Sequence, residues 1–255
     1  MIPQAIHQTW KTRHLPPTLA RYHASWVHFN PHWQVHFYDD QACLEFVRDY
    51  YPEFLPVYQG FAHTVQRADF FRYLIVYHYG GLYADIDMEC LRPLAPLDPC
   101  SAAIFSVEAQ LTRQRQRELG YREPFQIANC IFATAPQHWF LAHMIEQVVQ
   151  TAHQPAQTDA AILATTGPWR LTRLYFALAP EAQRQLTILP QIYWMPPTSY
   201  PNWWPLNRNM VARHHFMGSW KSEDAKELGV YRRWVERSRL PNPWPHRRAK
   251  KTDSR

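Results

Sequence analysis

The stretch that most limits what this chain can become is residues 72–89, RYLIVYHYGGLYADIDME. It is apolar and aromatic for most of its length, breaks at Gly80-Gly81, and then sets Asp85, Asp87 and Glu89 two residues apart. From Thr64 to Tyr79 the apolar residues recur at helical spacing, which predicts a helix stopped by the glycine pair. LYADID is then a strand that ends in carboxylates. Unpaired charge after an apolar approach is costly, so a cation is expected among them. Two carboxylates in D-x-D spacing at a strand's end can converge on one hard divalent ion, one directly and the other through water. Mn²⁺ and Mg²⁺ take such a mixed sphere of carboxylate, water and phosphate. For a D-x-D alone, a solvated turn is the plainer reading.

The surrounding chain reads as alternating strands and helices. PQAIHQTW and WQVHFYDD are strands, separated by the helical LPPTLARYHASWVHFNP, which closes at Asn30-Pro31. DQACLEFVRDYYP opens on an Asp cap and reads as helix. AAIFSV, QIANCIFAT, QLTILP and MVARHHF read as further strands, and QHWFLAHMIEQVVQ and PWRLTRLYFALAP as further helices. This order implies an α/β sheet covered on both faces, with ligands outside the carboxyl ends of its strands. Asp85 and Asp87 would stand there. Asp69 and Arg72 lie i,i+3 on one helix face, either as a structural ion pair or as ligands for sugar hydroxyls and phosphate.

Composition limits the alternatives. The chain has 255 residues, 46% hydrophobic and 19% charged, enough for one sizeable domain. Its 4 cysteines show no metal-ligand spacing and read as reduced, mainly buried thiols. The first residues lack the pattern of a signal peptide, and no window approaches a membrane span. The expected location is cytoplasmic, or at the inner face of the cytoplasmic membrane. The net charge of +6 is concentrated in YRRWVERSRLPNPWPHRRAKKTDSR. This segment reads as a solvated helix with a frayed tail, or as a surface for peripheral contact with an anionic membrane. No motif for nucleic acid accompanies the charge.

RADFFRYLIVYHYGGLYADID resembles the signature of glycosyltransferase family 32, the DXD-containing sugar transferases. That group includes fungal initiating and sphingolipid mannosyltransferases and bacterial capsule and lipopolysaccharide transferases. More distantly it includes the catalytic domains of large clostridial toxins. IPQAIHQTW, NPHWQVHFYDD, IANCIFATAPQHW and HHFMGSW resemble further blocks of the family, in its order, from Ile2 to Trp220. DIDMECL lacks the residues that follow the D-x-D of a haloacid-dehalogenase phosphatase, which argues against a nucleophilic aspartate.

The resemblance implies a single-domain GT-A fold, a Rossmann-like mixed sheet with helices on both faces, over 1–240, followed by a basic tail at 241–255. It implies Mn²⁺ or Mg²⁺, a nucleotide-sugar donor (GDP-mannose or a UDP-sugar), a glycan or glycolipid acceptor, and retention of anomeric configuration. Asp85 and Asp87 match the metal motif, and Asp69 and Arg72 match positions holding the donor's ribose and sugar. Trp10 matches an aromatic stacked on the base, Asn129 a residue near the donor sugar, and Ser219 and Trp220 positions touching the metal and β-phosphate. A histidine before that last motif closes the metal sphere: His214, with His215 as the alternative. TTGPWR resembles a loop near sugar or acceptor, or is turn chemistry before a helix. Tyr200, Trp203 and Trp204 read as acceptor surface, as a lid over the donor, or as a packed loop. Glu89 is expected to be structural. The expected activity is a retaining hexosyltransferase acting on lipid-linked or polysaccharide acceptors. A toxin-like transferase modifying protein side chains, and an inactive nucleotide-sugar-binding protein, are the alternatives.

Overall fold

A computed structural model describes residues 1–94, 101–119, 122–154, 158–196 and 209–218. The strands are β1 (Ala5–Thr9), β2 (Gln34–Tyr38), β3 (Gly81–Ala84), β4 (Met88–Cys90), β5 (Ala103–Gln110), β6 (Phe125–Ile127), β7 (Ile131–Thr134), β8 (Thr187–Leu189) and β9 (Ala212–His214). The α-helices are α1 (Pro17–Phe29), α2 (Asp40–Tyr50), α3 (Leu55–Gly60), α4 (Thr64–Tyr79), α5 (Arg113–Leu119), α6 (Trp139–Thr151), α7 (Asp159–Thr165), α8 (Pro168–Ala177), α9 (Pro180–Gln183) and α10 (Gln191–Trp194). Seven strands form one mixed sheet in the order β2-β1-β3-β7-β5-β6, with β8 paired to β5. β1 is parallel to β2 and β3, β7 is antiparallel to both β3 and β5, and β4 and β9 form a separate antiparallel pair.

Alternation along the central strands divides the core in two. Tyr83, Phe105 and Phe132 point to the face covered by α2, α4, α6 and α8. Leu82, Ala84, Ile104, Ile131 and Ala133 point to the other, where Trp26 of α1 and Trp194 of α10 pack. Trp26 is fully buried, and its indole N–H donates to the Met88 carbonyl at 2.8 Å. α4 lies deep between layers, with every residue from Asp69 to Val76 buried. That is why it is apolar nearly all round rather than striped.

Three sequence expectations change in detail, the first being that the strand expected over LYADID ends at Ala84, so Asp85 and Asp87 lie in the turn after it. The cap of α2 is Asp39, one residue before the expected position, because its extended backbone lets Oδ1 accept from Ala42 N at 2.8 Å. QIANCIFAT is two strands, not one: β6 ends at Ile127 and β7 begins at Ile131. At the break, the carbonyl of Asn129 leaves the ladder to accept from Arg72, while that of Cys130 accepts from Asp85 N and continues the β3–β7 register by one residue.

The glycine pair joins α4 to β3 without a loop. Gly80 (φ +69°) and Gly81 (φ +95°) occupy the left-handed region, and a Cβ on Gly81 would stand 2.6 Å from the Ala5 carbonyl oxygen. The chain thus reverses in place. Arg72 lies about 12 Å back along the helix from Gly80, and Asp85 about 16 Å forward along the strand. Helix and strand run antiparallel, so Arg72 and Asp85 meet at the carboxyl end of the sheet.

Candidate active site

The core of the site is a guanidinium between two carboxylates. Arg72 Nη2 lies 3.2 Å from Asp69 Oδ1 and 3.1 Å from Asp85 Oδ1, and Nη1 donates to the Asn129 carbonyl at 3.0 Å. The guanidinium also rests over the Tyr83 ring, 4.9 Å from its centre. Asp69 and Arg72 are buried, 4% and 5% exposed, so the charges are held by partners rather than water. Asn129 Nδ2 donates to Asp69 Oδ1 at 2.9 Å, and the Thr166 hydroxyl donates to Oδ2 at 2.8 Å. Burial pushes the Asp69 carboxyl above the usual range; Arg72, Thr166 and Asn129 act against that rise without cancelling it.

The two carboxylates of the D-x-D differ in surroundings. Asp85 Oδ1 accepts from the Tyr83 hydroxyl at 2.9 Å, and burial raises its pKa despite Arg72. Asp87, like Asp85, is half-buried, but His214 Nε2 stands 3.1 Å from Oδ1 and Met217 N–H donates to Oδ2 at 2.9 Å. Burial would raise Asp87; the charge and hydrogen bond of His214 prevail and hold it below the usual range. Burial likewise works to lower His214, and the Asp87 charge overrides it, holding the imidazole well above its ordinary value.

Pairing of β4 with β9 sorts the two histidines. Met88 faces His214 and Glu89 faces Arg213 in register. The next residue, His215, turns its Nε2 to Glu89 at 2.9 Å and stacks on Tyr22 with ring centres 4.2 Å apart. Glu89 therefore holds His215, while His214 stands beside the D-x-D.

The residues suit a divalent cation. Ligand atoms of Asp85, Cys130 and His214 lie within 4.8 Å of one another. His214 Nδ1 is buried with no hydrogen-bond partner. The 3.1 Å between Asp87 and His214 matches the separation of about 3 Å between neighbouring ligands at about 2.1 Å from an octahedral ion. One cavity of about 520 Å³ joins Asp69, Arg72, Asp85, Asp87, Asn129 and His214 to Trp10 at the end of β1. Trp10 N–H donates to the Tyr38 carbonyl at 3.0 Å, and the Lys11 ammonium lies 5.5 Å over its ring.

Residues 16–104, which carry Asp69, Arg72, Asp85 and Asp87, match the family described as "Glycosyltransferase sugar-binding region containing DXD motif". Over that region the chain is similar to the DXD-motif glycosyltransferases.

Inositol phosphoceramide mannosyltransferase 1 of Schizosaccharomyces pombe is 27% identical over 240 residues, 93% of this chain and 66% of that protein. Inositol phosphoceramide mannosyltransferase 3 of the same organism is 30% identical over 176 residues, 69% of this chain and 45% of that protein. The chain thus spans between about half and two thirds of these relatives' length. Among solved structures, the PaToxG glycosyltransferase superposes with a TM-score of 0.52 at 17% identity, over 72% of each chain, a likeness of fold. The mixed sheet with helices on both faces is the GT-A type expected from the motif blocks.

The structure brings together Trp10, Asp69, Arg72, Asp85, Asp87, Asn129 and His214 from five segments of the chain. Ser219 and Trp220, the Tyr200, Trp203 and Trp204 cluster, and the basic tail lie outside the described residues. Among the described residues, no helix is long and apolar enough to cross a membrane. Cys43, Cys90 and Cys130 are free and buried, as expected. Sequence reasoning missed four residues. Tyr83 was legible, since it stands two positions before Asp85 on the same strand face. Thr166 lay within the TTGPWR loop already singled out. Cys130 was read as an inert thiol, and Glu108 gave no signal.

Proposed function

We propose that this chain is a retaining, metal-dependent hexosyltransferase that moves a hexose from a nucleotide diphosphate sugar to a lipid-linked or polysaccharide acceptor. The observation that carries the reading is the cavity in which Arg72 bridges Asp69 and Asp85 beside the Asp87–His214 pair. The catalytic unit is taken as residues 1–240, with 241–255 a basic tail. Asp85, Asp87 and His214 would hold Mn²⁺ or Mg²⁺, with Ser219 assigned to the same ion from its sequence motif alone, and such an ion when bound offers positive charge to a departing diphosphate. Arg72 is a fixed cation at the same place, already oriented before substrate arrives, which is the arrangement that stabilises developing charge. Asp69, braced by Arg72, Asn129 and Thr166, presents a rigid carboxylate edge for ribose or sugar hydroxyls. Trp10 offers an aromatic face to the base. The acceptor hydroxyl attacks from the side the diphosphate leaves, and a leaving phosphate oxygen takes its proton.

The relatives named above are mannosyltransferases by name, so GDP-mannose is the first donor to try and a glycolipid the first acceptor. Binding and hydrolysis of GDP-mannose and of UDP-glucose, measured with and without Mn²⁺, test the reading. Asp87→Ala should abolish the Mn²⁺-dependent part of both. A variant as active as the parent would remove Asp87 from the metal site, and a covalent glycosyl-enzyme adduct seen by mass spectrometry would overturn same-face attack.

A further inference from the structure

Glu108 is 2% exposed, yet it lines the same cavity as Asp69, Arg72 and Asn129. Three elements position it. It sits where the β5–β6 pairing jumps from Val107–Ile127 to Ala109–Gln126, so one step on β6 spans two on β5. Such a bulge re-aims the side chain of the extra residue. From β6, Gln126 Nε2 donates to Glu108 Oε2 at 2.7 Å, and from α10, Gln191 Nε2 donates to the Glu108 carbonyl at 2.7 Å. A glutamate carries high side-chain entropy, and here it is fixed at both its backbone and its carboxylate. A buried carboxylate is expensive to maintain, and a plain structural position between strands would be met more cheaply by an apolar residue.

We propose that Glu108 is a sugar-binding residue, its carboxylate accepting a hydrogen bond from a hydroxyl of the donor's hexose. The inference rests on the transferase reading above and deepens it. A carboxylate facing this cavity repels a diphosphate unless an ion intervenes, whereas a sugar hydroxyl donates to it directly. Asp85, Asp87 and His214 mark the diphosphate end, and Glu108 belongs to the hexose.

The test compares affinities of the full chain, with Mn²⁺, for GDP and GDP-mannose and for UDP and UDP-glucose. Glu108→Gln keeps the shape and the bond from Gln126 and removes only the charge; Glu108→Asp keeps the charge and withdraws it by one methylene. Glu108→Gln should weaken the sugar nucleotide about tenfold, the difference between a charged and a neutral acceptor. Glu108→Asp should weaken it by about as much because the shortened side chain no longer reaches the hydroxyl, and both should leave the nucleoside diphosphate within about twofold. Thermal unfolding verifies that both variants are folded. An unchanged preference for the sugar nucleotide in both variants, or an equal loss for nucleotide and sugar nucleotide, would overturn the inference. If the parent binds no nucleotide at all, the transferase reading fails first, and this one with it.

Discussion

Replacing Arg72 by Met removes the cation shared by Asp69 and Asp85 and leaves a side chain of similar length. Breaking a buried ion pair from one side costs about 3–5 kcal/mol, because the partner charge is stranded. Here two carboxylates are stranded, and the Asn129 carbonyl loses its donor, adding about 1 kcal/mol. Against a stability of about 5–15 kcal/mol for a domain, the variant should fold but unfold at much lower urea. Arg72→Lys should fall between parent and Met, because one ammonium lacks the fork that reaches both carboxylates and the carbonyl. Asp69→Asn alone should cost less, about 1–3 kcal/mol, since Arg72 keeps Asp85. The double variant should then cost less than the two singles together by about 1–3 kcal/mol, because no charge remains at position 69 to be stranded. Urea unfolding at pH 7.5 measures all four. A loss below about 1 kcal/mol for Arg72→Met, or single effects that add within about 0.5 kcal/mol, would refute the view that this contact holds the site together.

Gly81→Ala should destabilise the fold by about 3–4 kcal/mol, from the left-handed backbone and from a Cβ 2.6 Å from the Ala5 carbonyl. A shift in thermal midpoint corresponding to under about 1 kcal/mol would contradict it. His7 is buried, donating from Nε2 to the Gly80 carbonyl at 3.0 Å and accepting from the Tyr38 hydroxyl at 3.2 Å. Burial, opposed by the Gly80 carbonyl and helped by His36, lowers its pKa to about 4. The folded value lies below the unfolded one, so its stability contribution is full above about pH 6.5 and falls as the pH drops toward 4. Each pH unit in that window costs about 1.4 kcal/mol. Between pH 7.5 and 4.5 the parent should therefore lose about 3 kcal/mol more than His7→Gln; equal losses in urea titrations would exclude His7 as the cause.

Much of the site was legible because its elements are local in sequence. The stop of the helix at Gly80-Gly81 and the strand after it follow from glycine's backbone freedom, and the helix from Thr64 to Tyr79 from an apolar run too long for a strand, although burial all round leaves it no apolar stripe. Their antiparallel return sets Arg72 beside Asp85 with only the chain's own geometry. The apolar approach to the D-x-D pointed to a divalent cation; the structure also sets the Arg72 guanidinium 3.1 Å from Asp85.

What the sequence by itself could not decide are the contacts made across long separations. His214 and Asp87 are 127 positions apart, and Thr166 and Asp69 97. Two adjacent histidines have the same composition and propensity; only the β4–β9 register turns one to Asp87 and the other to Glu89. The break between β6 and β7 was hidden for the same reason, since the Asn129 carbonyl leaves the ladder for Arg72 on α4. Glu108 is the extreme case. Within AIFSVEAQ it is a charged residue in a strand, and nothing local distinguishes it from a solvated edge position. The bulge opposite Gln126 and the cover of α10 bury it and turn it into the cavity, and those are properties of strands and helices meeting in three dimensions.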